Sequence, residues 1–121
     1  MSLLVVLLLL AAIPFGCANK RSLPDPLEAG WNGQAVCEVL QENENTRMLR
    51  CTFAPGVGHE KHYHDPHVGY TLAGSRFRIT DHSGTREVQV PTGSSFSNER
   101  IEHEVLNIGD STAVFLIIEQ K

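Results

Sequence analysis

The chain has 121 residues, which is enough for one small domain with a single core and no more. Its formal net charge is −4 at pH 7, and its longest basic cluster is Lys20-Arg21, so the sequence argues against a nucleic acid as partner. The chain also has 3 cysteines and 6 histidines, and their spacing carries most of the information about function.

The beginning of the chain is apolar. Residues 3–13 form an unbroken apolar run, too short for a membrane span of about 20 residues but suited to the core of a signal peptide. We therefore predict a signal peptide over residues 1–18 and a secreted or periplasmic protein with no transmembrane segment in its mature form. Cleavage after Ala18 would fit the preference of signal peptidases for small residues. The alternative is a lipoprotein signal, in which Cys17 becomes a lipid-anchored N-terminus.

The remainder of the chain divides into a short leading segment and one domain. Residues 19–33 are expected to be a flexible N-terminal segment, and the domain is expected over residues 34–121. It contains short candidate strands separated by turn signals such as Gly74 and Pro91-Thr92-Gly93. Strands are predicted over residues 34–41, 47–54, 60–64, 67–73, 75–81, 85–90, 94–98, 103–107 and 112–119. Many short strands without an amphipathic helix predict an all-β fold, either a sandwich or a barrel.

Two cysteines lie within the first predicted hairpin. If Cys17 belongs to the signal, Cys37 and Cys51 remain, and both are seven positions from Glu44, in the polar turn between the first two strands. They would then stand opposite each other on the apolar face. A disulfide in an oxidising compartment and a pair of buried free thiols both fit this placement.

Histidines dominate the next stretch. His62 and His64 point to the same side of a strand, about 6 to 7 Å apart along it, so that two imidazoles can bind one ion. Asp65-Pro66 ends this strand because proline cannot donate to a ladder, and His67 opens the next. Imidazole is the commonest protein ligand of transition metals, so the pattern predicts a metal site.

These residues resemble the motifs of the cupin superfamily. The first motif is similar to a run that has Gly56, then His62-Tyr63-His64 after five residues, then a turn and His67, and then Gly74 after six residues. His67 stands where the motif has an acidic residue. The second motif is similar to a run that has Gly93, then His103 after nine residues, and then Asn107 after three residues. The resemblance implies a single-domain cupin double-stranded β-barrel. It also implies a homodimer, since many cupins pair through barrel edges.

The resemblance also implies the site. The predicted metal ligands are His62, His64, His67 and His103, with His67 replacing the family's acidic ligand. His59 and His82 are expected to be solvated at the surface, and Asn107 is expected to serve structure. The apolar lining of the cavity is expected to include Phe53, Phe77, Ile79, Val88, Val90, Phe96 and Val105.

The predicted cofactor is a divalent transition metal, with Fe(II) as the first guess and Mn, Ni, Cu or Zn as alternatives. Neutral histidine ligands leave the ion its full charge, which favours a small anionic or chelating ligand. Three functions follow: a metal-dependent enzyme of the dioxygenase type, a non-catalytic cupin that binds a metal or small ligand, and a structural barrel with an incidental histidine cluster. No residue can be assigned as a catalytic acid, base or nucleophile.

Overall fold

The computed structural model describes Gly16 and residues 22–121, so the predicted signal segment lies almost wholly outside the described residues. The regular secondary structure of the described residues consists of β-strands, and these residues include no helix that could cross a membrane. The strands are β1 (Gly30–Trp31), β2 (Gln34–Ala35), β3 (Cys37–Glu42), β4 (Thr46–Phe53), β5 (Gly58–His64), β6 (His67–Ala73), β7 (Ser75–Asp81), β8 (Gly84–Val90), β9 (Ser95–Asn98), β10 (Ile101–Asn107) and β11 (Ala113–Gln120).

Two larger antiparallel sheets enclose the core, in a jelly-roll-like arrangement. One has the strand order β3-β4-β11-β6-β9 and the other β5-β10-β7-β8, while β1 and β2 form a small ribbon. Side chains alternate along β6, so that Gly69 and Thr71 point inward beside His67, whereas Tyr70 faces solvent. The core includes Leu49 from the first sheet and Phe77 from the second. The all-β prediction is confirmed.

Residues 24–31, which lie within the segment 19–33 expected to be flexible, pack against the barrel. Pro26 is buried, and the Pro24 carbonyl accepts a hydrogen bond of 3.1 Å from the Tyr63 amide. The Asp25 carboxylate forms an ion pair of 3.1 Å with Arg47 on β4. Burial of the proline ring and this charge-assisted contact hold the segment in place.

The β3–β4 hairpin carries a disulfide between Cys37 and Cys51, which are paired directly across the two strands. The turn is closed by the Asn43 side chain, whose oxygen accepts hydrogen bonds from the amides of Asn45 and Thr46, each 2.9 Å long. Of the two alternatives open from the sequence, the structure has the disulfide. Both cysteines are also buried in the core.

Asn107 holds a turn together, as predicted. Its buried side chain accepts hydrogen bonds from the Ser75 hydroxyl at 2.8 Å and the Gly109 amide at 3.0 Å. It donates to the carbonyls of Phe53 at 2.9 Å and Ser111 at 2.8 Å. Four hydrogen bonds use the bonding capacity of this amide, so its role is structural.

Candidate metal centre

Neighbouring strands β5 and β10 bring three histidines together. His62 and His64 point inward from β5, and His103 on β10 lies directly opposite His62. The register of the two strands shifts beyond this pair, because the next pair is His59 with Val105. Two residues of β5 therefore lie opposite one residue of β10. Such a β-bulge reverses the alternation of faces, and His59 therefore also points inward.

Three of the four predicted ligands form a compact set. The ligand nitrogens of His62, His64 and His103 all lie within 4.8 Å of one another. The Nε2 atoms of His62 and His64 are 2.9 Å apart. Two nitrogens bound to one ion at about 2.0 to 2.1 Å lie roughly 3 Å apart, so this spacing suits a shared metal ion.

Hydrogen bonds fix the tautomers of His62 and His64. The Nδ1 atom of His62 lies 2.6 Å from the Glu60 carbonyl, and that of His64 lies 2.7 Å from a carboxylate oxygen of Glu119. Both oxygens can only accept, so each Nδ1 carries the proton and each Nε2 presents a lone pair. Two lone pairs facing each other at 2.9 Å repel unless a cation or a proton lies between them. The donor set therefore fits a divalent metal.

The histidines open into a cavity of about 710 Å³ inside the barrel. The predicted apolar residues line it with the exception of Val88, which packs against the core. Charged side chains surround its mouth, among them Lys61, Arg86 and Glu102. A cavity of this size accommodates a small organic molecule next to the metal centre.

No protein-family model matches the sequence, and no curated protein matches it. Among solved structures, a cupin domain from Bordetella pertussis Tohama I is 25% identical with a TM-score of 0.66, over 83% of this chain and 97% of that one. The chain has the cupin fold.

Two further solved structures share this fold at lower identity. A polyketide cyclase from Streptomyces resistomycificus is 17% identical with a TM-score of 0.57, over 69% of this chain and 63% of that one. A predicted oxalate decarboxylase from Thermotoga maritima is 19% identical with a TM-score of 0.52, over 68% of this chain and 76% of that one. These likenesses concern the fold alone.

His67 lies beside the three-histidine set. It is buried at the start of β6, and its ring centre is 4.9 Å from that of His64. Its Nδ1 donates to the Asp65 carbonyl at 2.7 Å, so its Nε2 is again the nitrogen with the lone pair. Within the described residues, however, the compact set does not include His67. Its role as a fourth ligand stays a prediction.

A buried carboxylate that the sequence did not indicate lies behind His64. Glu119 on β11 is 2% exposed; besides binding His64 it accepts a hydrogen bond of 2.7 Å from Arg47. Burial alone would raise the pKa of Glu119, but the hydrogen bonds from His64 and Arg47 lower it below its ordinary value. The carboxylate is therefore ionised and orients His64, as acceptors behind metal-ligating histidines commonly do.

The expectation that His59 is solvated is wrong. Its side chain is 2% exposed, its Nε2 donates to the Pro26 carbonyl at 3.0 Å, and its ring stacks on that of His62 at 3.7 Å. The β-bulge in β5 is the cause. By contrast, His82 is exposed in the turn between β7 and β8, as predicted.

Burial keeps His62 and His103 neutral. Burial, reinforced by the positive charge that His59 and His64 would carry, lowers the pKa of His62 to about 2. Burial, followed by the charges that His64 and then His59 would carry, lowers the pKa of His103 to about 3. Neutral imidazole is the form that binds a metal, so His62 and His103 can bind one at neutral pH.

Proposed function

We propose that this protein binds one divalent transition metal through His62, His64 and His103. The observation that carries the proposal is the pair of Nε2 atoms at 2.9 Å, each made a lone-pair donor by an acceptor bound to its Nδ1. A structural barrel gains nothing from this arrangement, because two imidazole lone pairs that face each other repel.

The donor set also favours a class of ligand. Among the described residues the compact set contains no carboxylate, so a bound divalent ion would keep its full positive charge. Such an ion attracts a small anionic or chelating molecule and would act as a Lewis acid or, if redox-active, in oxygen chemistry. The protein supplies three imidazole nitrogens and a cavity of about 710 Å³ beside them.

The reaction proposed for this site is of the dioxygenase type, with Fe(II) as the first candidate metal. The alternative is a binding protein without turnover. Similarity of fold does not choose between them, because the solved structures include a polyketide cyclase and a predicted oxalate decarboxylase. Oxygen uptake by the Fe(II)-loaded protein should be measured with diketones, thiols, phenols and 2-oxo acids, with His103→Ala as control. Ligand binding without oxygen uptake would favour the binding protein.

We also propose that the protein is exported. The apolar run over residues 3–13 and the disulfide between Cys37 and Cys51 support this, since disulfides persist in oxidising compartments. Intact mass of the exported protein should place its N-terminus between Cys17 and Lys20, and added lipid mass on Cys17 would identify an anchored form. A cytoplasmic protein that begins at Met1 would contradict export.

The homodimer stays a prediction. Sedimentation velocity at micromolar concentration distinguishes a dimer from a monomer of at most 13.4 kDa, the mass of these 121 residues.

A further inference from the structure

Four of the histidines form an arc of contacting rings on one side of the cavity. Going round the arc, the ring centres are 3.7 Å apart from His59 to His62, 4.7 Å from His62 to His64 and 4.9 Å from His64 to His67. All four side chains are buried. The polar half of the barrel interior is therefore a continuous strip of imidazoles.

Four phenylalanines form a second arc. The ring centres are 5.4 Å apart from Phe53 to Phe77, 5.6 Å from Phe77 to Phe115 and 6.3 Å from Phe115 to Phe96. The rings meet edge to face or at steep angles, an arrangement favoured between aromatic groups. This arc is the apolar half of the interior.

The two arcs join at both ends. His67 lies 6.0 Å from Phe96, and His59 lies 6.2 Å from Phe53, measured between ring centres. Eight aromatic side chains thus form a closed ring around the inside of the barrel, half of it polar and half apolar. A ligand in this cavity meets imidazole on one side and hydrocarbon on the other.

The apolar arc is not entirely core. Phe53 and Phe77 are buried, but Phe96 and Phe115 are only partly buried although they lie on inward-facing positions of β9 and β11. Both line the cavity, so part of each ring can contact a ligand there. Gly69 leaves the space that the Phe96 ring occupies, because a Cβ atom at position 69 would collide with that ring.

The charges at the mouth are largely matched with one another. Arg86 pairs with Asp81 at 2.8 Å, and Arg100 pairs with Asp65 at 3.4 Å and Glu102 at 3.8 Å. A mouth of paired charges gives little attraction for a multiply charged ligand body. Selection among ligands therefore falls to the interior.

We propose that the ligand is a small amphiphile, with a chelating anionic head and an apolar body of about one or two rings. This inference rests on the proposed metal site, because the head binds the metal. The body lies against Phe96 and Phe115, where apolar surface is removed from water. The cavity of about 710 Å³ accommodates such a molecule. A ligand that consists of the head group only would leave the apolar part of the cavity unfilled.

Two hydroxamates with the same head and different bodies test the proposal. Calorimetry on Zn(II)-loaded protein should show that benzohydroxamate binds at least about tenfold more tightly than acetohydroxamate, because a buried phenyl group removes substantial apolar surface from water. Equal affinities for both would overturn the amphiphile and leave the metal site standing. Protein that takes up no Zn(II) would overturn the metal site and the amphiphile with it.

A variant pair locates the apolar body. Val90 lines the cavity from β8, whereas its neighbour Gln89 is exposed on the other side of the strand. Val90→Phe should fill the cavity and weaken benzohydroxamate by about fivefold or more while changing acetohydroxamate by less than about twofold. Gln89→Phe adds the same side chain outside and should change neither. Equal effects of Val90→Phe and Gln89→Phe would place the body elsewhere and contradict the proposal.

Discussion

Individual histidines of the centre are oriented by oxygen atoms that can only accept hydrogen bonds. For His62 and His67 the acceptor is a backbone carbonyl, but for His64 it is the ionised carboxylate of Glu119. A carboxylate increases the basicity of the imidazole that it binds, so His64 should be the strongest donor of the set. The metal affinity should therefore depend on a residue that does not touch the metal.

Glu119→Gln tests this dependence. Glutamine keeps an oxygen that can accept from His64 but loses the charge, so the Zn(II) affinity should fall by about 10- to 100-fold. Competition with a chromophoric chelator measures the dissociation constant. Glu38→Gln is the matched control, because Glu38 also pairs with an arginine, Arg50, but at the exposed surface. An unchanged dissociation constant for Glu119→Gln would show that the carboxylate only holds Arg47.

His67→Ala tests the predicted fourth ligand. His67 lies beside the compact set, so its loss should weaken metal binding or alter the ligand response without abolishing uptake. Metal content and Zn(II) affinity measure this, and His82→Ala at the exposed turn is the control. If His67→Ala equals the wild type in both, His67 only lines the cavity wall.

Three of the four histidines predicted as ligands lie in the compact set, and two further residues show what local sequence patterns do not reveal. Strand alternation places His62 and His64 together, but it places His59 on the opposite face, and only the bulge in β5 reverses that. Glu119 follows Phe115 and Ile117 at alternate positions on β11, so a carboxylate on an apolar face was the available signal. Its partner His64 is 55 residues away in the chain, a contact that local patterns do not contain.

At the scale of elements, the positions of the strands were more predictable than the packing of residues 24–31, which precede most of them. Turn residues delimit the strands, and the predicted bounds of residues 67–73 and 75–81 are those of β6 and β7. The packing of residues 24–31 was not predicted, because it depends on tertiary contacts such as those of Asp25 with Arg47 and of Pro26 with His59. These contacts join the N-terminal segment to both the carboxylate and the histidine side of the metal centre.

The β3–β4 hairpin supports a prediction on stability. The disulfide links residues with a sequence separation of 14. Closing a loop of that length restricts the unfolded chain and contributes about 3 kcal/mol to the free energy of unfolding. Denaturant unfolding of the Cys37→Ser, Cys51→Ser double variant should show this loss, and reduction of the wild type should reproduce it. Full labelling of both cysteines by alkylation in unfolded, unreduced protein would contradict the bond.

At the scale of the whole molecule, the buried histidines predict loss of stability in acid. Burial first, and then nearby His64, lowers the pKa of His59 to about 4, while burial and neighbouring histidines lower that of His62 to about 2. Below about pH 6.5 the unfolded chain binds protons that the folded protein excludes. The metal-free protein should therefore lose about 1.4 kcal/mol per pH unit for each such histidine, beginning below about pH 6.5 and ending as the folded pKa is reached.

Thermal unfolding of the metal-free protein between pH 7 and pH 5 measures this loss. His59→Gln should make the pH dependence shallower by the share of one histidine, whereas His82→Gln, at an exposed position, should leave it unchanged. A melting temperature that does not vary over this range would contradict the buried neutral histidines.

The metal content of the purified protein tests the central proposal most directly. After loading with Zn(II) and removal of excess metal, elemental analysis should find about one ion per chain in the wild type and in His82→Ala, since a compact three-nitrogen site binds one ion. His62→Ala, His64→Ala and His103→Ala should each retain almost none while keeping the β-sheet circular dichroism of the wild type. A wild type without bound metal, or a His62→Ala variant that still holds one ion per chain, would contradict the metal centre.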